Sequence, residues 1–229
     1  MKPTSSGAEE GNFLAILDPE SRAELRERGR LQRYRPGGVL LYEGQIDAPV
    51  VILLQGRVRV SALASDGRNL VLAFRGPGSI LGELAALNHG HCSATVAALD
   101  DVQAITLSPI QLHAFLRARP EAAIALLRLL GQRLRDSDRK RIEFAALDTV
   151  GRVAARIVEL ADRFGEPQPD GSLTIAFGLS QEELATWVGS SREATVKALA
   201  HLRGLGWLDT ARRRIHVNNL QALQHRSVP

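Results

Sequence analysis

Residues 180–205, SQEELATWVGSSREATVKALAHLRGL, read as two short helices joined by one tight turn. Ser180 with Glu183 and Ser190 with Glu193 each fit the S-x-x-E capping box. In that box the serine accepts from the N3 amide and the glutamate reaches back to the N-cap amide. Two boxes ten residues apart mark two helix starts. Between them Gly189 can take the left-handed conformation that ends the first helix, so the second helix crosses the first. This is a helix-turn-helix, whose second helix offers its N-terminal residues to base edges in the major groove. Here those residues are Ser191, Arg192, Glu193 and, one turn on, Lys197.

The charge distribution agrees with a nucleic-acid partner. The net charge of the 229-residue chain is only +4, but seven cations and two anions lie between Ser190 and the end. The basic excess is therefore carboxyl-terminal, the pattern expected of a binding face rather than of general solubility. A 45% hydrophobic and 24% charged composition is that of a globular protein long enough for two domains. No apolar run approaches the roughly 18 residues of a membrane span, and no secretory leader is apparent, so a cytoplasmic protein without membrane contact is expected. One cysteine, Cys92, excludes an internal disulfide and any zinc or iron-sulfur site built from several cysteines of one chain.

Residues 1–11 are small, polar and unpatterned, and are expected to be disordered. Asp18 and Pro19 open a short helix that Gly29 stops. From Leu31 the apolar period changes to two. Short runs, including PVVILLQGRVRVSAL, DGRNLVLAFRGPGSILGELAAL and ATVAALDDVQAITLS, are divided by glycine turns. They predict an antiparallel β-roll over about 31–107, with Asp66-Gly67 as its clearest hairpin. Ser108-Pro109-x-Gln111 opens a helix to about Arg119, and Pro120 opens a longer one to about Leu147. There Leu127, Leu130, Leu134, Ser137, Arg141 and Phe144 alternate at steps of three and four. That is the spacing of a seam, whose expected partner is the same helix of a second subunit. Asp148 caps a further helix to about Phe164. GEPQPDGS is a loop and LTIAF a strand. GWLDTARRRIHV folds as a hairpin with Arg212, Arg213 and Arg214 at its tip, a basic wing suited to phosphates. The expected fold class is α+β: a β-roll with flanking helices over 12–119, a long dimerisation helix over 120–147, and a winged helix-turn-helix over 148–229.

With these parts in this order, the chain resembles the CRP/FNR family of bacterial transcription regulators over about residues 13–225. The marks are Gly82-Glu83-Leu84 after GPGSIL, Asp148 with Gly151-Arg152 at the hinge, and Gln181-Glu182-Glu183-Leu184 through Ser191-Arg192-Glu193. The resemblance implies a non-enzymatic homodimer on double-stranded palindromic DNA. A ligand between a cyclic-nucleotide-binding-like roll and the long helix would control it, and RNA polymerase would be its partner if it activates. It implies base contacts from Arg192, Glu193 and Lys197, with Ser180, Ser191 and the wing arginines Arg212, Arg213 and Arg214 in the DNA interface. In the roll it implies a ligand set of Gly82, Glu83, Leu84, Cys92, Ser93, Arg133, Ser137 and Asp138. Cys92 stands where cyclic-nucleotide binders carry the arginine that neutralises the cyclic phosphate, and Asp138 adds a negative charge near the base. Tight cyclic-AMP binding is therefore not expected, and the cofactor stays open. His89, His91 and Cys92 share a loop, but their spacing fits no haem or metal pattern. The alternative reading is a metal, haem or small-molecule sensor acting mainly through protein contacts.

Overall fold

The computed structural model describes residues 12–176, 178–211 and 213–229. The expected disorder of residues 1–11 falls outside that range. The chain divides into two compact units, one ending at Leu134 and the other starting at Arg135.

The first unit opens with α1 (Phe13–Ile16) and α2 (Pro19–Arg28), the latter capped by Asp18, whose carboxylate accepts from the Ser21 amide at 2.8 Å. Eight strands follow: β1 (Arg30–Tyr34), β2 (Val39–Leu41), β3 (Val50–Gln55), β4 (Val58–Leu63), β5 (Asn69–Arg75), β6 (Ile80–Leu81), β7 (Thr95–Ala98) and β8 (Val102–Leu107). They form two antiparallel sheets, ordered β1-β8-β3-β6 and β2-β7-β4-β5. The continuous apolar run of β3 follows from burial on both faces. Val50 and Ile52 join a core with Phe13, Leu25, Leu112, Phe115 and Leu126, while Val51 and Leu53 turn inward to Leu41, Val96 and Val102. Asp66-Gly67 makes the β4–β5 turn, with Gly67 at φ 82°.

The expectation of strand through Gly82-Glu83-Leu84 is overturned. The residues after β6 form a helix, α3 (Glu83–Asn88). Gly82, left-handed at φ 78°, ends the extended run, and Leu and Ala, strong helix formers, carry the rest. The helices α4 (Pro109–Ala118) and α5 (Pro120–Ala146) complete the unit, α4 with both hydrogen bonds of a Ser108–Gln111 capping box. Ala122, Ala125, Leu126 and Leu129 of α5 face the core and Leu130 packs beside them, so Leu130 does not join the outer stripe. Leu127 and Leu134, at 66% and 63% exposure, and Phe144 remain outside.

The second unit holds the distal half of α5, α6 (Thr149–Phe164), α7 (Gln181–Val188), α8 (Arg192–Gly204), α9 (Leu220–Arg226) and a sheet ordered β11-β12-β10-β9. Its strands are β9 (Gly165–Pro167), β10 (Leu173–Ile175), β11 (Leu208–Ala211) and β12 (Arg214–Val217). The segment expected as a loop after α6 therefore contributes β9, and α9 was not anticipated. Val153, Ile157 and Leu160 of α6 make the apolar stripe on which this unit is built, with Leu223 of α9 fully buried.

The turn between α7 and α8 is a Schellman motif: the Ser190 amide donates to Ala185 O at 3.0 Å and the Gly189 amide to Thr186 O at 3.3 Å. Gly189 sits at φ 63°, and a Cβ there would come within 2.7 Å of the Phe144 ring. Gly189→Ala is expected to destabilise this unit by about 1–2 kcal/mol from the left-handed backbone alone. Both tryptophans, Trp187 and Trp207, lie in this unit, so urea unfolding read by tryptophan fluorescence isolates it. An unchanged midpoint would contradict the turn's role.

Candidate functional site

The capping box of Ser180 is complete: its hydroxyl accepts from the Glu183 amide at 3.1 Å, and Glu183 accepts from the Ser180 amide at 2.8 Å. The second expected box is not formed. α8 starts one residue later, with Ser191 as N-cap accepting from Ala194 at 3.1 Å. The Schellman turn consumes the Ser190 amide, and the Ser190 hydroxyl meets that of Thr149 at 3.3 Å. Glu193, freed from capping, pairs instead with Lys197 at 2.8 Å. Both ends of that pair are largely exposed, so it contributes about 0.3–0.5 kcal/mol at most and yields readily to another partner.

The inner face of α8 is set by Thr195, Ala198, Leu199 and Leu202, all buried. Thr195, fully buried, donates its hydroxyl to Ser191 O at 2.9 Å. With that face fixed, Ser191, Arg192, Glu193 and Lys197 are all exposed on the solvent side. At the wing, Arg213 takes φ 61° and Arg214 is exposed, while Arg212 lies outside the described residues. The Arg213 guanidinium packs over Gly178, where a Cβ would stand 2.8 Å from its Nη2. Arg203 donates to the Thr210 hydroxyl at 3.1 Å, tying α8 to β11 of the wing. Neither Gly178 nor Arg203 carried a signal in the sequence, because each works through a contact distant along the chain.

In the roll, Gly82 lies close to Pro49, whose carbonyl oxygen a Cβ would approach to 2.7 Å. Glu83 is only 3% exposed and is held by Arg133 of α5, Nη1 to Oε1 at 2.7 Å. Arg133 also donates through Nη2 to Ile80 O at 2.8 Å. A buried carboxylate is tolerable when a guanidinium meets it in this way. Cys92, 5% exposed, belongs to the inner core and is fixed by backbone bonds to Gly44 and Gln45. Burial, and then the negative charge of Glu83, pushes its thiol above the ordinary value. Leu84 and Ser93 are exposed. Ser137 and Asp138 are exposed on the distal half of α5, and Asp138 pairs with Arg141 at 3.4 Å. The structure thus gathers Gly82, Glu83, Cys92 and Arg133 in the first unit, while Ser137 and Asp138 belong to the second.

His89 ends α3 at φ 50°, its ring stacked on His113 with centroids 5.5 Å apart, and His91 Nδ1 lies 3.2 Å from Gly44 O. Among the described residues, no group of three or more His, Cys, Asp or Glu side chains is placed to hold a metal ion. Among the same residues no helix is long and apolar enough to cross a membrane.

Comparison with known proteins agrees with this architecture. Residues 31–119 match the cyclic nucleotide-binding domain and residues 151–226 the Crp-like helix-turn-helix domain. A CRP-like cAMP-activated global transcriptional regulator of Mycobacterium tuberculosis is 30% identical over 220 residues, covering 96% of this chain and 97% of the relative. The crystal structure of a CRP-family transcriptional regulator from Thermus thermophilus superposes with a TM-score of 0.71 at 28% identity, covering 86% of this chain and 96% of that one. At the level of fold, the c-di-GMP responsive regulator CLP of Xanthomonas campestris gives a TM-score of 0.74 at 23% identity, covering 87% and 99%. The chain belongs to the CRP/FNR family of transcription regulators. It is a DNA-binding regulator with a cyclic-nucleotide-binding type of sensory domain, and it is not an enzyme.

The burial and raised pKa of Cys92 have a direct consequence. At pH 7–8 the thiol stays protonated, so alkylation by iodoacetamide is expected to run at least about tenfold slower than for free cysteine, and to reach the free rate in denaturant. Rapid modification of the native protein would contradict the burial.

Proposed function

We propose that this regulator is a cytoplasmic homodimer that reads a two-fold symmetric operator, each α8 entering one of two successive major grooves. In this reading residues 12–119 sense, 120–147 dimerise and 148–229 bind DNA. The observation that carries it is the outward face of α8, where Arg192, Glu193 and Lys197 stand together while the opposite face is locked in the core. The exposed Leu127, Leu134 and Phe144 of α5 support dimerisation, since apolar side chains at seam spacing need a partner helix. Arg192 suits guanine O6 and N7, and Glu193 suits cytosine N4. Ser180 and Ser191 are assigned to the same DNA interface, and the wing arginines Arg212, Arg213 and Arg214 to phosphates. Where the protein activates, RNA polymerase is its partner.

The M. tuberculosis relative is described as cAMP-activated. In this chain the carboxylate that the resemblance assigns to a ribose hydroxyl is kept as Glu83, buried and paired with Arg133, but a neutral buried thiol occupies the place of the phosphate-binding arginine. Losing a charge-assisted hydrogen bond costs about 1.5–3 kcal/mol, one to two orders of magnitude in affinity. We assign the roll a small-molecule effector other than tightly bound cyclic AMP, contacting Gly82, Glu83, Leu84, Cys92, Ser93 and Arg133.

Arg192→Ala is expected to cost about 1–3 kcal/mol on an operator and to relax preference at one base pair. Arg213→Ala should weaken operator and random duplex alike and lower the salt slope by about 1. Anisotropy titrations over a salt series separate the two, and equal losses on both duplexes for both variants would refute the division of roles. Calorimetry with cyclic AMP is expected to show weak binding by the native protein, tightened about 10- to 100-fold in Cys92→Arg. Tight native binding would overturn the argument from Cys92.

A further inference from the structure

The wing hairpin breaks a local rule. Ala211 of β11 pairs with Arg214 of β12, so Arg213 closes a two-residue turn, and its φ is 61°. Left-handed positions in such turns are normally filled by glycine, asparagine or aspartate, because a larger side chain crowds its own backbone there. An arginine kept at that position against the backbone's preference points to a task for its side chain. The guanidinium lies over Gly178, two residues before Ser180, the N-cap of α7. A Cβ on Gly178 would stand 2.8 Å from Nη2, 2.9 Å from Nε and 3.2 Å from Cζ, so its three nearest atoms all belong to that one group. Gly178 has no left-handed backbone of its own to call for glycine. What the glycine supplies is room for Arg213.

The guanidinium is held there without its donors being consumed. Arg213 is exposed, and among the described residues no carboxylate or carbonyl pairs with it. Arginine carries five donors in a planar fork whose geometry matches a phosphate. At the base of the wing, Arg203 of α8 is tied to the Thr210 hydroxyl of β11 at 3.1 Å. The hairpin is therefore fixed at its base through Arg203 and seated at its tip on Gly178, while Arg213 keeps its donors for an anion from outside.

We propose that Gly178 is a positioning residue for DNA binding: by leaving room for the Arg213 guanidinium against the segment before α7, it presets that group for a backbone phosphate. This rests on the reading of the wing as a phosphate-binding element. A side chain already seated in its working position gives up less conformational freedom on binding than one ordered at that moment. Gly178 itself touches no DNA in this account and acts through Arg213. The wing tip and the start of α7 then form one phosphate-binding edge.

Gly178→Ala tests this without changing the net charge, so any change in salt dependence cannot come from a lost cation. The added methyl meets only the far end of a flexible side chain, and Arg213 is expected to swing aside while the fold keeps its stability. The full-length protein is titrated into a fluorescent random-sequence duplex, read by anisotropy over a salt series. Gly178→Ala should bind about tenfold more weakly near 0.1 M salt and lower the salt slope by about 1, as for one lost phosphate contact. Arg213→Gly, which suits the left-handed turn and removes the guanidinium, should match it. The double variant should lose no more than either single one, because both remove the same contact. The urea midpoint of Gly178→Ala, read by tryptophan fluorescence, should equal that of the native protein. A native slope in Gly178→Ala, additive losses in the double variant, or a lowered urea midpoint in Gly178→Ala would each overturn the proposal. A native slope in Arg213→Gly as well would refute the phosphate reading of the wing itself, which keeps the two failures apart.

Discussion

A helix leaves its first four amides and last four carbonyls without partners, and the second unit is organised around satisfying them. Asp148, Ser180, Ser191 and Asn219 each accept a backbone amide at the start of their helix. Gly189 and Ser190 close the end of α7 through the Schellman pair, and Arg152 meets carbonyls at the end of α5. These closures fix where α8 begins and therefore which of its side chains face outward. Glu193 shows the consequence: because Ser191 caps α8 alone, Glu193 is left to pair with Lys197 on the exposed surface.

The two units use different kinds of adhesion. The roll is held by aliphatic packing on both faces of β3, with the buried ion pair Glu83–Arg133 at its contact with α5. The second unit adds a dense cluster of charge around Arg156 and Trp187. Apolar packing supplies stability without insisting on one geometry, whereas satisfied buried charges penalise displacement. In the proposed reading, a sensor that admits an effector and a reader that presents two helices in fixed register have different needs, and this difference in chemistry suits them. Cys92 fits the same view, since burial keeps its thiol neutral within the inner core.

What the sequence disclosed was local. Ser180 with Glu183, Asp18 with Pro19, Ser108 with Gln111, Asp66-Gly67 and Gly189 are all signals spanning a few residues, and each appears where its spacing placed it. The misread points share a cause. Ser190 and Ser191 offered two equally plausible caps, and the turn decided between them by using the Ser190 amide. GELAAL lay in a run of strands, and only the left-handed Gly82 stops the extended chain there. The stripe on α5 mixed two faces, because Leu130 serves the core and Leu127 and Leu134 do not. The Arg133–Glu83 and Arg156–Glu143 pairs and the Arg213–Gly178 contact join residues far apart along the chain or on neighbouring helices, and spacing carries no trace of them.

The central claim is that two copies of α8, held in register, read DNA through Arg192, Glu193 and Lys197. Selection of binding sites from a random duplex pool by the full-length protein, at stated salt, tests it most directly. The account predicts enrichment of an inverted repeat whose half-sites are centred about one helical turn apart, about 10 base pairs. Recovery of single unpaired half-sites, or of no common sequence, would contradict it.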